Sequence, residues 1–159
     1  MTGGEMVQAY RDGAQRLRRA VEGLAPEDLD ARPGPGAWSI RQVVLHLQDS
    51  EAVLIDRMRR VLAEEDPLLV AFDENRFVER LHYERQSIED ALLLIEVGRR
   101  QWARVLETLA PEAFQRCGRH SVAGQVSLGS LLQGAIDHLE HHLAFLLEKR
   151  RRLGKPADL

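Results

Sequence analysis

Four stretches of the chain carry apolar residues at alternating spacings of three and four, the repeat that lines one side of an α-helix, and no other feature narrows the fold as much. The first stripe runs through Val7, Tyr10, Ala14, Leu17, Val21 and Leu24 and stops at Pro26, with Thr2 and Glu5 spaced as a capping box ahead of it. The second runs through Val43, Leu47, Leu54, Met58 and Val61 into the acidic stop Glu64-Glu65-Asp66-Pro67. Its start is the best-marked point in the sequence: Ser39 and Gln42 have capping-box spacing, and Trp38 and Val43 sit at the two positions of a hydrophobic staple. The third opens at Ser87 and carries Ile88, Leu92, Ile95, Trp102, Val105 and Leu109 before Pro111. The fourth takes Ser127 as its N-cap, continues through Leu128, Leu131, Ala135, Leu139, Leu143 and Leu146, and ends before Gly154 and Pro156.

One apolar stripe cannot bury itself, so four of them predict an all-α, four-helix bundle. The 159 residues suit a single such domain over 1–159. The connector between the second and third helices is too long for a tight helical hairpin, which predicts a short helix near residues 74–81 or a crossing of the bundle. Gly34 and Gly36, with Pro33 and Pro35, read as a stiff loop. A short echo also appears: Leu24-Ala25-Pro26-Glu27 follows the first stripe and Leu109-Ala110-Pro111-Glu112 the third, as a pseudo-repeat of helical hairpins would produce.

Charge and cysteine content exclude several classes. A net charge of -3 lacks the footprint that neutralises phosphates, so nucleic acid is not an expected partner. Arg99, Arg100 and Arg104, and the tail Lys149, Arg150, Arg151 and Arg152, read as a solvated helix face and as cations at a helix C-terminus. Cys117, the one cysteine, rules out a disulfide framework within the chain and a cysteine-rich zinc module, and reads as a passive thiol in a reducing compartment. With no run of ~18 apolar residues and no apolar signal core, the expectation is a cytoplasmic protein without a membrane partner.

Histidine placement carries the chemistry. Leu128, Leu131, Ala135, His138, His142 and Phe145 step by three or four, which sets His138 and His142 in the inward seam of the fourth helix, one turn apart. Imidazoles at that spacing share a metal ion on metalloprotease helices; they also occur as ordinary hydrogen-bonded core residues, and the pair alone leaves both readings open. His46 shares a face with Val43, Ser50 and Val53 and borders the second stripe, so a triad across the bundle is within reach. Three neutral imidazoles leave open coordination positions on a divalent ion, as in catalytic zinc sites. Zn²⁺ and Ni²⁺ head the candidates, with Fe²⁺ and Cu²⁺ also suited to imidazole. His141 falls on the polar flank with Asp137 and Glu148, where it can orient a ligand, while His82 and His120 fall in connectors and read as surface residues. A di-iron carboxylate site would need Glu-x-x-His on two bundle helices, and Glu79 with His82 is the one such match.

Residues 37–51, Ala-Trp38-Ser39-Ile-Arg-Gln42-Val-Val-Leu-His46-Leu-Gln-Asp-Ser-Glu51, resemble the signature of the DinB/YfiT-like metalloenzyme family, with its Trp-Ser/Thr start and a histidine two turns into the helix. Residues 120–128, followed by Asp137-His138-Leu139-Glu140-His141-His142, resemble the same family's second half, so the likeness spans nearly the whole chain. The resemblance implies a four-helix bundle, often a homodimer, whose metal-binding histidines fall on His46, His138 and His142. Similar proteins include S-transferases and isomerases that use bacillithiol, mycothiol or glutathione. Where many members follow the last histidine with Arg-Gly-Gln, this chain has Leu143-Ala144-Phe145. The expected function is a metal-dependent enzyme acting on a small molecule, either a low-molecular-weight-thiol S-transferase or a hydrolase, with a non-enzymatic metal-binding or stress-response bundle as the alternative. Asp49, Glu51 and His141 lie near the ligands in sequence without marking a general base.

Overall fold

The computed structural model describes residues 3–32 and 37–159, so the Thr2 capping box and the loop of residues 33–36 lie outside the described residues. Along the chain run α1 (Gly3–Val21), α2 (Pro26–Asp30), α3 (Ile40–Ala63), β1 (Leu68–Leu69), α4 (Glu74–Arg80), α5 (Ile88–Leu106), β2 (Cys117–His120), β3 (Gly124–Ser127) and α6 (Leu128–Arg152), with 3₁₀ turns at Tyr83–Arg85 and Pro111–Gln115. The four long helices α1, α3, α5 and α6 are those the apolar stripes predict, and they form a four-helix bundle.

Local chemistry sets the helix ends. Ser39 Oγ accepts from Gln42 N at 3.1 Å and Gln42 Oε1 accepts from Ser39 N at 2.9 Å, a reciprocal capping box that starts α3. Ser87 and Ser127 cap α5 and α6 through their hydroxyls, each accepting at 3.1 Å from the backbone N–H three residues on. The first and third helices end earlier than their stripes. Gly23, at φ +74, turns the chain before Leu24, and the backbone after Leu106 tightens into turns that carry Thr108 and Leu109. The Ala-Pro echo has a local meaning: Pro26 opens α2 and Pro111 opens a 3₁₀ turn, since proline at a first helical position gives up no hydrogen bond.

Helices α1 and α3 each pack against both α5 and α6, so α1 faces α3 across one diagonal and α5 faces α6 across the other. The core divides into two apolar clusters. One joins Ala14, Leu17 and Ala20 of α1 to Val43, Val44 and Leu47 of α3, Leu92 and Ile95 of α5, and Leu139, Leu143 and Leu146 of α6. The other joins Val7 and Tyr10 to Ile55, Met58 and Val61, Trp102 and Leu106, and Leu128, Leu132 and Ile136. These memberships make α3 run parallel to α5 and antiparallel to α6. After the 24 residues of α3 the chain must return about 36 Å before α5 can begin, which is the work of the long connector. It folds into β1, α4 and the Tyr83–Arg85 turn, and α4 matches the short helix expected near residues 74–81.

The small sheet was not legible from periodicity. β1 pairs parallel with β2, and β2 antiparallel with β3, in strands of two to four residues too short to show alternation. Gly118 sits where β2 crosses α3 and the strand before it: a Cβ there would lie 3.0 Å from Val61 Cγ2 and 3.1 Å from the Pro67 carbonyl. His120, expected in a surface connector, is half-buried in β2, its Nδ1 accepting the backbone N–H groups of Val122 and Ala123.

Two basic residues read as solvated are corrected by the fold. Arg99 is 2% exposed and Arg150 7% exposed. Arg150 donates to the carbonyls of Ala20, Glu22 and Lys155, so it satisfies acceptors left over at the end of α1 instead of reaching water. Arg100, Arg104, Arg151 and Arg152 are exposed, as expected. Phe145, placed in the inward seam by its spacing, is 51% exposed, because the core face of α6 passes instead through Leu139, Leu143 and Leu146. No helix among the described residues is long and apolar enough to cross a membrane.

Candidate metal centre

His46 lies in the second turn of α3, its start set by the Ser39 box, and His138 and His142 lie on successive turns of α6. Because α3 and α6 are antiparallel neighbours, the three rings meet. Their centroids are 5.0 Å apart for His46 and His138, 4.8 Å for His46 and His142, and 4.7 Å for His138 and His142, all near edge-to-face. One ring nitrogen from each lies within 4.8 Å of the other two. His46 Nε2 and His138 Nε2 are 3.1 Å apart. That is close to the ~3.3 Å edge that two Zn–N bonds of ~2.05 Å make at a tetrahedral ion, so the donor set fits such a group.

The surroundings keep these rings neutral. Burial pushes the His46 imidazole down to about 4, and the repulsion between two protonated rings, His46 and His142, adds to it. His138 is held at about 4 by burial, then by His46, His141 and Arg99. His142 is held at about 4 by burial, then by His138 and His141. A neutral imidazole offers a lone pair, so ligation near pH 7 would displace no ring proton from these nitrogens. His46 Nδ1 and Ser50 Oγ, one turn on, are both buried without a hydrogen-bond partner among the described residues.

Two residues complete the surroundings. The Trp38 ring, marked in the sequence as a staple residue, also lies 5.0 Å from the His46 ring and nearly parallel to His142 at 6.5 Å. The returning connector brings Glu74, the first residue of α4, to 3.6 Å from His46 Nε2, with its side chain half-exposed. Spacing could not reveal Glu74, because nothing local to the connector shows which turn of α3 it passes. The predicted helix at 74–81 was the one available signal.

The other candidates separate from the triad. His141 is exposed; its ring packs edge-on against His142 at 5.4 Å and Phe145 at 4.8 Å. Asp49 accepts the Tyr83 phenol, whose pKa is raised by burial and by that carboxylate. Glu51 points into the core and pairs with Arg99 and Tyr10. His82 is exposed beside Glu84, and Cys117 donates its thiol to the Gln115 carbonyl.

Comparison with known proteins agrees with this architecture. The profile of the DinB superfamily matches residues 9–146. Relatives from several bacilli bear the designation "putative metal-dependent hydrolase". OB0782 of Oceanobacillus iheyensis is 31% identical over 148 residues, covering 93% of this chain and 86% of the relative. YfiT of Bacillus subtilis is 30% identical over 149 residues, covering 93% of this chain and 84% of the relative. The solved structure of YfiT, described as a four-helix bundle of unusual topology, superimposes with a TM-score of 0.89 at 29% identity, covering 96% of this chain and 87% of that one. The helical repeat, the bundle and these alignments together place the chain in the DinB superfamily.

Proposed function

We propose that this protein is a metal-dependent hydrolase of a small molecule, with a divalent ion held by His46, His138 and His142. The observation that carries the reading is the convergence of three neutral imidazole nitrogens, contributed by two different helices, within 4.8 Å of one another. The designation of OB0782 and YfiT supports the hydrolase class. Zn²⁺ and Ni²⁺ are the proposed ions, for a donor set that also suits Fe²⁺ and Cu²⁺.

Within this reading, His138 and His142 present their nitrogens from one face of α6, and His46 closes the set from α3. A bound divalent ion with an open position supplies Lewis acidity, which brings the pKa of water toward neutrality. Glu74, 3.6 Å from His46 Nε2 and half-exposed, is placed to accept a proton at its carboxylate from a group entering the site. Trp38 packs beside the rings of His46 and His142.

Elemental analysis of the purified protein tests the site directly. The expected result is about one Zn²⁺ or Ni²⁺ per chain, lost in His142→Ala and in the variant with all three histidines replaced by alanine. Full metal content in His142→Ala would overturn the assignment. Turnover of ester and amide panels by the loaded protein, with and without added bacillithiol, mycothiol or glutathione, then separates the reactions: strict dependence on a thiol would assign S-transfer in place of hydrolysis. Light scattering decides whether the chain assembles as a homodimer, as the family resemblance implies.

A further inference from the structure

The proposed chemistry leaves unused a buried polar layer between the two apolar clusters. Arg99 enters it from α5. Its Nε and Nη2 donate to Glu51 Oε2 of α3 at 2.9 and 2.7 Å, Nη2 also donates to the Ala135 carbonyl of α6 at 3.1 Å, and Nη1 donates to the Tyr10 carbonyl of α1 at 2.9 Å. The other carboxylate oxygen of Glu51 accepts the Tyr10 phenol, and the guanidinium stands 4.5 Å from the centre of the Tyr10 ring. Tyr10 is 0% exposed and Glu51 5% exposed. Gly13 makes room for the layer, since a Cβ at that position would fall 2.7 Å from Arg99 Nη1.

This layer stands at the height of the histidines. Glu51 lies five residues after His46 on α3, and Ala135 three residues before His138 on α6, so each is within about 8 Å of its histidine along the helix axis. Nη2 of Arg99 therefore ties together the two helices that carry the triad, close to where His46 and His138 meet. The flanking apolar clusters also join these two helices, but they do not fix one register. Burial of apolar area is non-directional, and cores keep their stability through repacking before they keep a unique geometry. Charge-assisted hydrogen bonds from a planar guanidinium are directional. Stability alone is also a poor account of three buried polar side chains, because replacing a buried ion pair with apolar groups of similar volume is often neutral or stabilising.

We propose that Arg99, with Glu51 and Tyr10, is a positioning cluster: it sets the spacing and register of α3 against α6 at which the nitrogens of His46 and His138 come together. Its consequence for metal affinity rests on the metal-centre reading above, whereas its consequence for helix spacing does not.

The test is the variant Tyr10→Phe/Glu51→Leu/Arg99→Met, which removes all the polar side chains of the layer at once and leaves no charge unpaired. Arg150→Met is the control, because Arg150 is the other buried arginine and clamps the far end of α1. Crystal structures of the metal-free proteins, urea midpoints, and Co²⁺ titrations followed through the d–d bands are compared with those of the parent chain. The expected result for the triple variant is a urea midpoint close to that of the parent, an opened His46–His138 contact, altered d–d bands, and Co²⁺ affinity reduced about tenfold or more. Arg150→Met is expected to lower the midpoint while leaving the contact and the Co²⁺ affinity unchanged. Should the triple variant not fold, Arg99→Lys applies the same test: it keeps the charge, but three ammonium donors on one nitrogen cannot reproduce the four hydrogen bonds that the planar guanidinium makes to Glu51 and to the Tyr10 and Ala135 carbonyls, so a smaller shift of the same kind is expected. A folded variant with the histidine contact still near 3.1 Å and unchanged Co²⁺ affinity overturns the proposal. A parent chain that binds no Co²⁺ would refute the metal centre, while the metal-free structures would still decide the positioning role.

Discussion

Acidification of the metal-stripped protein should unfold it through the three histidines. In the unfolded chain each imidazole takes up a proton as the pH falls through about 6.5, whereas in the folded chain His46, His138 and His142 wait until about 4. Between those values the unfolded state binds more protons, so this contribution to stability is complete above pH 6.5 and drains away as the pH falls towards 4. At ~1.4 kcal/mol per pKa unit, His46, whose side chain is 1% exposed, accounts for about 3 kcal/mol. The rings of His138 and His142 are half-buried and screened by water, so they add less, bringing the triad to about 5 kcal/mol. That is comparable with the whole stability of many domains, ~5–15 kcal/mol. Urea melts by circular dichroism in EDTA at pH 7.5, 6.5, 5.5 and 4.5 give the measurement, run in parallel on a variant with leucine at positions 46, 138 and 142. Carboxylates titrate in both proteins and cancel in the comparison. The parent is expected to lose about 3–5 kcal/mol relative to the leucine variant between pH 7.5 and 4.5. Parallel curves for the two proteins would refute the claim that the fold holds these imidazoles neutral.

Further outcomes follow from single contacts. Ser39→Ala removes the hydroxyl that accepts from Gln42 N and should cost about 1 kcal/mol in a urea melt, with α3 fraying from the end nearest His46. Gly13→Ala forces a methyl group against Arg99 Nη1 and 3.3 Å from Leu139 Cδ2, and should lower stability by ~1–3 kcal/mol, measured by thermal melting. Glu74→Gln touches a half-exposed side chain, so stability should change by less than ~0.5 kcal/mol while turnover of whichever substrate is found falls about a hundredfold or more at unchanged metal content. Metal affinity itself should stay nearly flat from pH 8 to 6, since the nitrogens that take the ion carry no proton to displace, and a steep fall over that range by competition titration would contradict the neutral triad.

The bundle was legible because its determinants are local and repetitive. The stripes place α1, α3, α5 and α6, and the serines at 39, 87 and 127 mark three of their starts. His138 and His142 could be paired from sequence because i and i+4 always share a face, whatever the helix packs against. His46 was harder, since a residue on a different helix meets them only if the two helices are neighbours, and there the family resemblance named what periodicity left open. Arg99 and Arg150 misled for the opposite reason: a charged side chain predicts water unless partners are known, and theirs are carbonyls and a carboxylate on other helices.

The sequence by itself determined the four helices, most of their ends and the face each turns inward, because helix geometry converts spacing into direction without reference to the rest of the chain. Only the tertiary structure decided that α3 lies against α6 and not against α1, that the connector returns past His46 with Glu74 at its side, and that Arg99 bridges the two histidine-bearing helices. Those outcomes depend on which apolar faces pair in space, and several pairings bury the same residues equally well.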